Sequence, residues 1–453
     1  MARTDPNSPA AGFDPAADEP DDGVVAPLLP AEIAAQSLGD YLRAQFTRIK
    51  TGDSGMLPVV LALVAIVVAF QSVSPHHIFL SHGNLVNLFQ QSTWYVVLAM
   101  GEIFVLLLGE IDLSIGFLGA VGAVIAVQLV EPVTNNWPWW AAIIVALIAS
   151  AFMGLIQGLL VTVLRLPSLI VTLATSLVWN GLLLIVLAYG PFSGYPPLNG
   201  NTPSIRALHD LINGTITPVA GWISMIVVVG LLGGWMIYGD LTRRRSGLVT
   251  PPLSLTLIKI GLIAVAGIAV VYVCNLNRAT TGKLEGVPFA IPIVLAILAL
   301  WTFLLGRTRF GRYIYAIGGN REAARRAGIK VDLIRTSAFM LSGLTAGAAM
   351  LFYASYIGGM SNNVNGGQLV LFAVASAVIG GTSLFGGRGK AVHGVLGGVV
   401  IGAIYNGMFL LGLPAQWLYI VTGGVLVFAV TVDSLFRGGQ GGRSLISALL
   451  RRG

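Results

Sequence analysis

Runs of apolar residues separated by short polar segments recur along the chain, and they predict helices that cross a membrane. A helix needs about 20 predominantly apolar residues to cross the apolar core of a bilayer. Twelve runs approach this length, at 57–74, 86–108, 112–130, 139–164, 169–189, 216–238, 254–275, 290–306, 336–357, 369–386, 394–412 and 418–436. The pattern predicts an all-α polytopic membrane protein with about twelve transmembrane helices.

The tenth of these runs, 369–386, differs from the others. It is short, and it leads into a segment of glycines and hydroxyl-bearing residues that extends to position 390. Irregular backbone at membrane depth is tolerated only where protein encloses it or where it lines a water-filled cavity. This span is therefore expected to be broken or re-entrant.

The two ends of the chain differ from its apolar middle. Residues 1–40 are rich in Pro, Ala and Asp and carry eight of the 19 acidic residues, a composition typical of a disordered segment. Residues 41–56 are expected to form a juxtamembrane segment, and 437–453 a basic cytoplasmic tail. The transmembrane domain is expected to extend from 57 to 436.

Composition and charge support this class and set an orientation. The chain is 55% hydrophobic and 10% charged, whereas soluble proteins have about 25% charged residues. Of the 26 basic residues, Arg206, Arg278 and Lys283 fall on one side of the predicted membrane and the other 23 on the opposite side. Because cytoplasmic loops carry the excess of Lys and Arg, both termini are predicted in the cytoplasm. Bases in such loops contact membrane lipids, so we expect no nucleic-acid partner.

The densest group of basic residues lies in a predicted cytoplasmic loop, 307–335. A short helix is predicted inside it, because Asn320 is a good N-cap and Glu322 lies in the first turn, where the helix dipole favours an anion. Arg325 lies in the last turn, where a cation is favoured, and Gly328 suits the left-handed position that ends a helix.

Small residues of this helix leave two interpretations open. Ala323, Ala324 and Ala327 give it a thin apolar face that can enter a groove on a cytoplasmic partner. Alternatively, the loop only holds anionic lipid headgroups, as many basic loops do. A loop that merely bound headgroups would not need a capped helix with small residues on one face, which favours the docking interpretation.

Three acidic residues, Glu102, Glu110 and Asp112, lie close together in an otherwise apolar region, with Ser114 beside them. A charge at the bilayer centre costs at least about 2.5–3.5 kcal/mol, so such residues usually face a pathway or a partner. We expect these four residues to lie on a translocation path. In the alternative, Glu110 and Asp112 cap the third span at its N-terminus, whereas Glu102 has no nearby helix end to cap.

A further group of polar residues, Thr382 and Ser383, lies in the glycine-rich segment after the tenth run, where irregular backbone is expected to line the same path. This segment is not a phosphate-binding loop, because Leu384 and Ala391 occupy positions where that motif needs Gly and a hydroxyl. The sequence contains no nucleotide-binding motif, so ATP, if it is used, is bound by another subunit.

Two outer segments are candidates for binding. His76, His77 and His82 lie close together after the first run, but no carboxylate or cysteine accompanies them, so a solvated loop is favoured over a metal site. The Pro- and Gly-rich segment 190–215 is the longest outer loop, and it is either a landing surface for an external partner or a plain connection.

At three places the sequence resembles the permease subunits of bacterial ABC importers for monosaccharides of the ribose, xylose and arabinose type. The resemblance covers about residues 85 to 435. Its carriers are GEIDLSIG at 109–116, TRFGRYIYAIGGN at 308–320 followed by EAAR at 322–325, and IGGTSLFGGRG at 379–389. Glu110, where many relatives have Gly, and the pair Leu384-Phe385 are most similar to the xylose branch.

The resemblance implies a transport subunit of the bacterial inner membrane, not an enzyme, with no catalytic residues and no cofactor of its own. A core of ten helices is implied, to which the spans in 216–275 are an inserted pair. Implied partners are a cytoplasmic ATPase that uses ATP, a periplasmic sugar-binding protein and a second permease chain, as a homodimer. The ATPase would dock on Gly319, Asn320, Glu322, Ala323, Ala324, Arg325 and Gly328. The alternative is a secondary transporter without an ATPase, which twelve spans and buried acids also suit.

Overall fold

The computed structural model describes residues 57–431, apart from 134, 189–193, 248–251, 280, 415, 418, 425, 426 and 428–430. The expectations for the tail at 1–40, the juxtamembrane segment at 41–56 and the basic end at 437–453 lie outside the described residues. The last predicted span, 418–436, is described only in part.

Helices make up nearly all of the regular structure in this described part. They are α1 (Leu57–Val73), α2 (His82–Leu106), α3 (Ile115–Val130), α4 (Trp139–Val163), α5 (Ser168–Ala188), α6 (Pro203–Asn213), α7 (Pro218–Arg245), α8 (Leu253–Asn275), α9 (Ala290–Arg307), α10 (Arg309–Gly319), α11 (Arg321–Arg326), α12 (Val331–Ile357), α13 (Gly366–Ile379) and α14 (Ala391–Leu410). Two short strands, β1 (Thr215–Ile216) and β2 (Val287–Pro288), pair antiparallel. Elements predicted from the apolar runs agree with these helices within a few residues at most ends.

Seven helices of the described part are long and apolar enough to cross a membrane, namely α4, α5, α7, α8, α9, α12 and α14. Shorter apolar helices include α3 and α13. Helix α2 is as long as α4 but carries more polar residues. The predicted fold class is therefore confirmed at the level of a polytopic, all-α membrane protein.

The centre of the bundle is formed by α2 and α12, around which α3, α4, α13 and α14 pack. Every residue of α2 from Gln91 to Leu106 is buried. Close approach of α4 to α12 depends on glycine, because a Cβ atom on Gly154 would collide with the Phe339 carbonyl, and one on Gly343 with the Ser150 carbonyl. Small residues at such contacts are a common means of packing helices tightly in lipid.

Helices α7 and α8 pack mainly on each other and lie at the periphery, with most of their side chains outside the core. The hairpin is closed at one end by the pairing of β1 with β2, in which Thr215 lies opposite Pro288. Its α7 helix also contacts α9, because the Arg307 guanidinium lies over the Trp235 ring at 5.4 Å from the centroid. The hairpin is thus attached to the bundle at a few points.

Two segments differ from the sequence-based prediction. The outer segment 190–215 contains the helix α6, in which Ile205, Leu208 and Ile212 are buried and the Thr202 side chain accepts a hydrogen bond from the Ile205 amide at 3.3 Å. Helix α13 ends at Ile379 rather than 386, since Gly381 has a left-handed φ of 108°. With 14 residues, α13 is about 21 Å long and too short to cross the bilayer core alone.

Candidate functional site

The predicted cytoplasmic loop 307–335, called the coupling loop below, contains two helices rather than one. The short helix α11 begins as predicted, because the Asn320 side chain accepts a hydrogen bond from the Ala323 amide at 2.9 Å. Gly328 follows it with a left-handed φ of 80°. The preceding helix, α10, was not predicted, although Thr308 caps it by accepting from the Gly311 amide at 3.2 Å.

Most side chains of α11 are exposed, but its alanines do not share one outer face. Ala323 and Ala327 are exposed, whereas Ala324 is only 4% exposed and packs in the core of the bundle. Ala324 therefore faces the bundle, on the opposite side from the exposed residues of α11. A helix of six residues has too few turns for its buried side to be deduced from spacing, so the sequence could not separate these neighbours.

The outer side of α11 is charged. The Glu322 carboxylate lies 3.2 Å from Arg326 and 3.6 Å from Arg325. Gly319 and Asn320 precede these residues and are exposed as well. A partner that approached α11 would therefore meet Glu322, Ala323 and Arg325 first.

Glu102, Asp112 and Ser114 meet in the interior, and all three are fully buried. The Glu102 carboxylate accepts a hydrogen bond from the Asp112 amide at 3.0 Å. Asp112 in turn accepts from the amide and the hydroxyl of Ser114, at 2.9 and 2.7 Å, and from the Ser342 hydroxyl at 3.4 Å. Glu102 lies four residues before the C-terminal end of α2, and its hydrogen bond to Asp112 holds the loop before α3.

A fourth member of this group, Gln157 of α4, was not found in the sequence. Its side-chain amide donates to the Ser114 hydroxyl and, at 2.8 Å, to Thr175 of α5. A single glutamine within a long apolar helix was the available signal. We call Glu102, Asp112, Ser114 and Gln157 the carboxylate cluster.

Two polar atoms of the carboxylate cluster have no hydrogen-bond partner in the described part of the chain. One oxygen of Glu102 and the carbonyl oxygen of Gln157 are buried without a hydrogen-bond partner among the described residues. Neither carboxyl group of the cluster has an ion-pair partner in this part of the chain. Such buried polar atoms are uncommon in packed interiors, and a functional role is one explanation for them.

Glu110 does not join the carboxylate cluster but binds two arginines of the coupling loop. Its carboxylate accepts a hydrogen bond from Arg335 Nε at 2.7 Å, forms an ion pair with Nη2 of the same guanidinium, and lies 3.6 Å from Arg321. Glu110 and Arg335 are each 8% exposed, whereas Arg321 is half-exposed. In the alternative interpretation of the sequence, Glu110 caps the N-terminus of the third span. In the structure its carboxylate instead contacts these two arginines. We call these three residues the arginine clamp.

Charges in the arginine clamp also act on Arg321. Burial lowers the pKa of its guanidinium, the neighbouring Arg335 lowers it further, and the Glu110 carboxylate opposes both effects. Asp332, 3.9 Å from Arg335, adds a second negative charge. Together with Asp332, the clamp therefore places two acids beside two bases at the N-terminal end of α12.

The glycine loop, residues 380–390, uses the two predicted hydroxyls to hold its own shape. Thr382 Oγ1 lies 3.3 Å from the ring of His393, and the Ser383 hydroxyl accepts from the Phe385 amide at 3.0 Å. Neither hydroxyl contacts the carboxylate cluster in the described part of the chain. The structure thus separates the predicted path residues into the carboxylate cluster, the arginine clamp and the glycine loop.

These segments are joined near the end of α2. The Gly387 amide donates to the Leu107 carbonyl at 2.9 Å, and a Cβ atom on Gly318 would collide with that same carbonyl and with the Gly387 amide. Tyr315 of α10 donates to the Gly389 carbonyl at 2.7 Å. The coupling loop therefore packs directly on both non-helical segments, the one after α2 and the one after α13.

A network of amide side chains at the opposite end of α2 was also missed. Gln91 donates to the Tyr356 hydroxyl at 2.8 Å, and that hydroxyl donates to Asn87 at 3.0 Å. Asn406 donates to Gln91 at 3.0 Å and exchanges hydrogen bonds with Asn84 at 2.8 and 3.1 Å. Asn84, Asn87 and Gln91 are three and four residues apart, so their amides lie on one face of α2. This spacing was the feature of the sequence that could have predicted the network.

Apolar spans around a buried polar interior, with an exposed helical loop at one end, define a polytopic membrane protein of the transport class. The chain belongs to the family of permease components described as branched-chain amino acid transport system permeases, whose pattern matches residues 84–430.

Several curated relatives are similar over most of their length. The xylose transport system permease protein XylH of Escherichia coli is 33% identical over 394 residues, which cover 86% of this chain and 94% of the relative. The protein of the same name from Haemophilus influenzae is 36% identical over 391 residues, covering 83% and 95%. The ribose import permease protein RbsC of Escherichia coli is 29% identical over 392 residues, covering 86% and 97%. No solved structure matches the chain.

Proposed function

We propose that this chain is the membrane-spanning permease subunit of an ATP-driven importer for a monosaccharide, xylose or another pentose. Similarity to xylose and ribose permeases over nearly their whole length supports the substrate class. The observation that carries the mechanism is α11, a capped helix that faces outward while Ala324 anchors it in the bundle. This geometry suits a docking element that an ATPase subunit can push.

The proposal includes the partners. An ATPase subunit binds and hydrolyses ATP, because this chain has no nucleotide-binding motif and is not itself an enzyme. It docks on the exposed residues of the coupling loop, from Gly319 to Gly328. A periplasmic sugar-binding protein delivers the substrate to the outer end, where α6 lies. A second copy of the chain completes the pore.

The proposed arrangement in the inner membrane follows the distribution of bases. Both termini are cytoplasmic, and about twelve spans comprise a ten-helix core and the peripheral pair α7 and α8. The α13 span is broken where it enters the glycine loop. Bases of the coupling loop that do not meet the ATPase contact anionic lipid headgroups.

The proposed translocation path passes the carboxylate cluster. Unsatisfied oxygens on Glu102 and Gln157 can accept hydrogen bonds from sugar hydroxyls without breaking existing contacts. Asp112 and Ser114 then orient these acceptors. Glu110, Thr382 and Ser383 lie in segments at the inner end of the path, where they control the shape of its mouth.

Docking on α11 can be tested by adding volume to its outer side. Ala323→Trp should block binding of the ATPase subunit, because close packing at an interface tolerates little added volume. Thr281→Trp is the control, since it places the same large side chain at an exposed residue at the other end of the bundle. The measurements are co-purification with the ATPase and, in reconstituted vesicles, ATP hydrolysis stimulated by sugar-loaded binding protein.

Two outcomes would contradict the proposal. Wild-type ATPase binding by Ala323→Trp would show that α11 does not dock. Sugar uptake by vesicles that contain this chain alone, driven by an ion gradient, would instead identify a secondary transporter.

A further inference from the structure

Glu110 is the point at which three parts of the molecule meet. It lies in the segment between α2 and α3, and its carboxylate binds Arg335 of α12 and approaches Arg321 of α11. Arg321 is the first residue of the proposed docking helix. The arginine clamp therefore gives α11 a charged contact with a buried segment of the permease.

The same buried segment carries Asp112, two residues after Glu110. Asp112 binds Glu102 through its amide and receives the Ser342 hydroxyl at 3.4 Å. Ser342 and Arg335 are seven residues apart and thus lie on nearly the same face of α12. Segment 107–114 is therefore fastened to α12 at two points, Glu110 and Asp112, and to the docking helix at Glu110.

Backbone contacts support the same connection. Gly318, two residues before the cap of α11, packs on the Leu107 carbonyl at the start of the segment. Because Ala324 is buried, α11 cannot move without displacing the residues beneath it. A displacement of α11 can therefore reach segment 107–114 through two contacts. One is the packing of Gly318 on Leu107, and the other is the charged contact of Arg321 with Glu110.

We propose that Glu110 is a positioning residue that transmits movement of α11 to the carboxylate cluster through Arg321, so that sugar transport stays coupled to ATP hydrolysis. The proposal rests on the function proposed above and assigns the transmission to one charged contact. Arg335 holds Glu110 on α12, and Arg321 is the member that moves with the ATPase. The sugar itself does not touch the clamp.

The test compares two single-charge removals on the same short helix. Arg321→Gln breaks the contact with Glu110, whereas Arg326→Gln removes an equal charge whose partner is Glu322 at 3.2 Å. Arg321 is half-exposed and Arg326 is largely exposed, so both variants should fold. Because both residues lie on the proposed docking helix, the two variants are compared at ATPase concentrations that saturate each of them. The readout is the number of sugar molecules transported per ATP hydrolysed, in vesicles with sugar-loaded binding protein.

We expect Arg321→Gln to lower this ratio about fivefold or more, the usual size of a coupling between two sites. Arg326→Gln should leave the ratio near the wild-type value, and Arg321→Lys should restore much of it because the charge remains. Glu110→Gln combined with Arg321→Gln should be no worse than Glu110→Gln alone, since both changes remove the same contact.

Equal ratios for Arg321→Gln and Arg326→Gln, in proteins that still bind the ATPase, would overturn the transmission through Glu110. Additive losses in the double variant would do the same. Failure of the wild-type chain to bind an ATPase would refute the proposed function instead, so the two failures can be told apart. If Glu110→Gln does not fold, the comparison of Arg321→Gln with Arg326→Gln is sufficient to test the proposal.

Discussion

Asp112 allows the structural and the functional contribution of a buried carboxylate to be separated. Its Oδ1 accepts two hydrogen bonds from Ser114, and Oδ2 accepts one from Ser342. Asp112→Asn keeps an oxygen for Ser114 and places an amide group toward the Ser342 hydroxyl, which can then accept. Asp112→Ala removes every acceptor. The two variants therefore differ in hydrogen bonding while both lack the charge.

The expected magnitudes follow from these contacts. In Asp112→Ala, the buried amide and hydroxyl of Ser114 lose their acceptor, and each unsatisfied donor costs about 1–3 kcal/mol. The sum is about 2–6 kcal/mol, or a midpoint of thermal unfolding lowered by about 4–12 °C if each kcal/mol shifts it by about 2 °C. Asp112→Asn retains the bonds, so its loss should stay below about 1 kcal/mol.

The assay is thermal unfolding of the purified permease in detergent, followed by sugar uptake in vesicles at equal protein. We expect Asp112→Asn to unfold near the wild-type temperature and yet to transport poorly, because the carboxyl group is part of the proposed path. Equal lowering of the midpoint in both variants would show that the charge, and not the hydrogen bonds, stabilises the loop. Normal uptake by Asp112→Asn would remove the carboxylate from the proposed path.

Two further predictions concern packing and capping. Gly154→Leu should destabilise the bundle by about 1–3 kcal/mol or more, because the new side chain meets the Phe339 backbone. Gly181→Leu is the control and should not destabilise it, because this glycine has open space around it. Comparable unfolding midpoints of the two variants would contradict the close α4–α12 contact. Asn320→Ala should weaken α11 by about 1 kcal/mol and reduce ATPase binding without changing the unfolding of the bundle, so unchanged binding affinity would show that the cap is dispensable for docking.

Long apolar helices were predictable because their signal is spread over many residues. Helix α4, predicted at 139–164, is found at Trp139–Val163, and α9, predicted at 290–306, is found at Ala290–Arg307. Short helices at the membrane surface were harder to predict from the sequence. Helices α6 and α10 have 11 residues each, and helices this short owe most of their stability to the burial of their apolar face against the bundle.

The candidate site was predicted as a set of residue types but not as a set of contacts. Glu102, Glu110 and Asp112 stood out because acids are rare in apolar regions. Their separation into two groups depends on Arg335 and Gln157, which come from distant elements of the chain. No spacing in the sequence connects these residues, since the contacts arise only when α4 and α12 pack beside α2.

The hairpin of α7 and α8 leaves and rejoins the bundle at a single place. Ile216 and Val287 lie opposite each other in β1 and β2, so the chain between them returns to within about 5 Å of where it left. A detour of two antiparallel helices also crosses the membrane an even number of times. The segments after β2, which include the coupling loop, therefore lie on the same sides of the membrane as they would if the hairpin were absent. A hairpin of this kind is topologically silent, because a change in its length does not alter the sidedness of the rest of the chain.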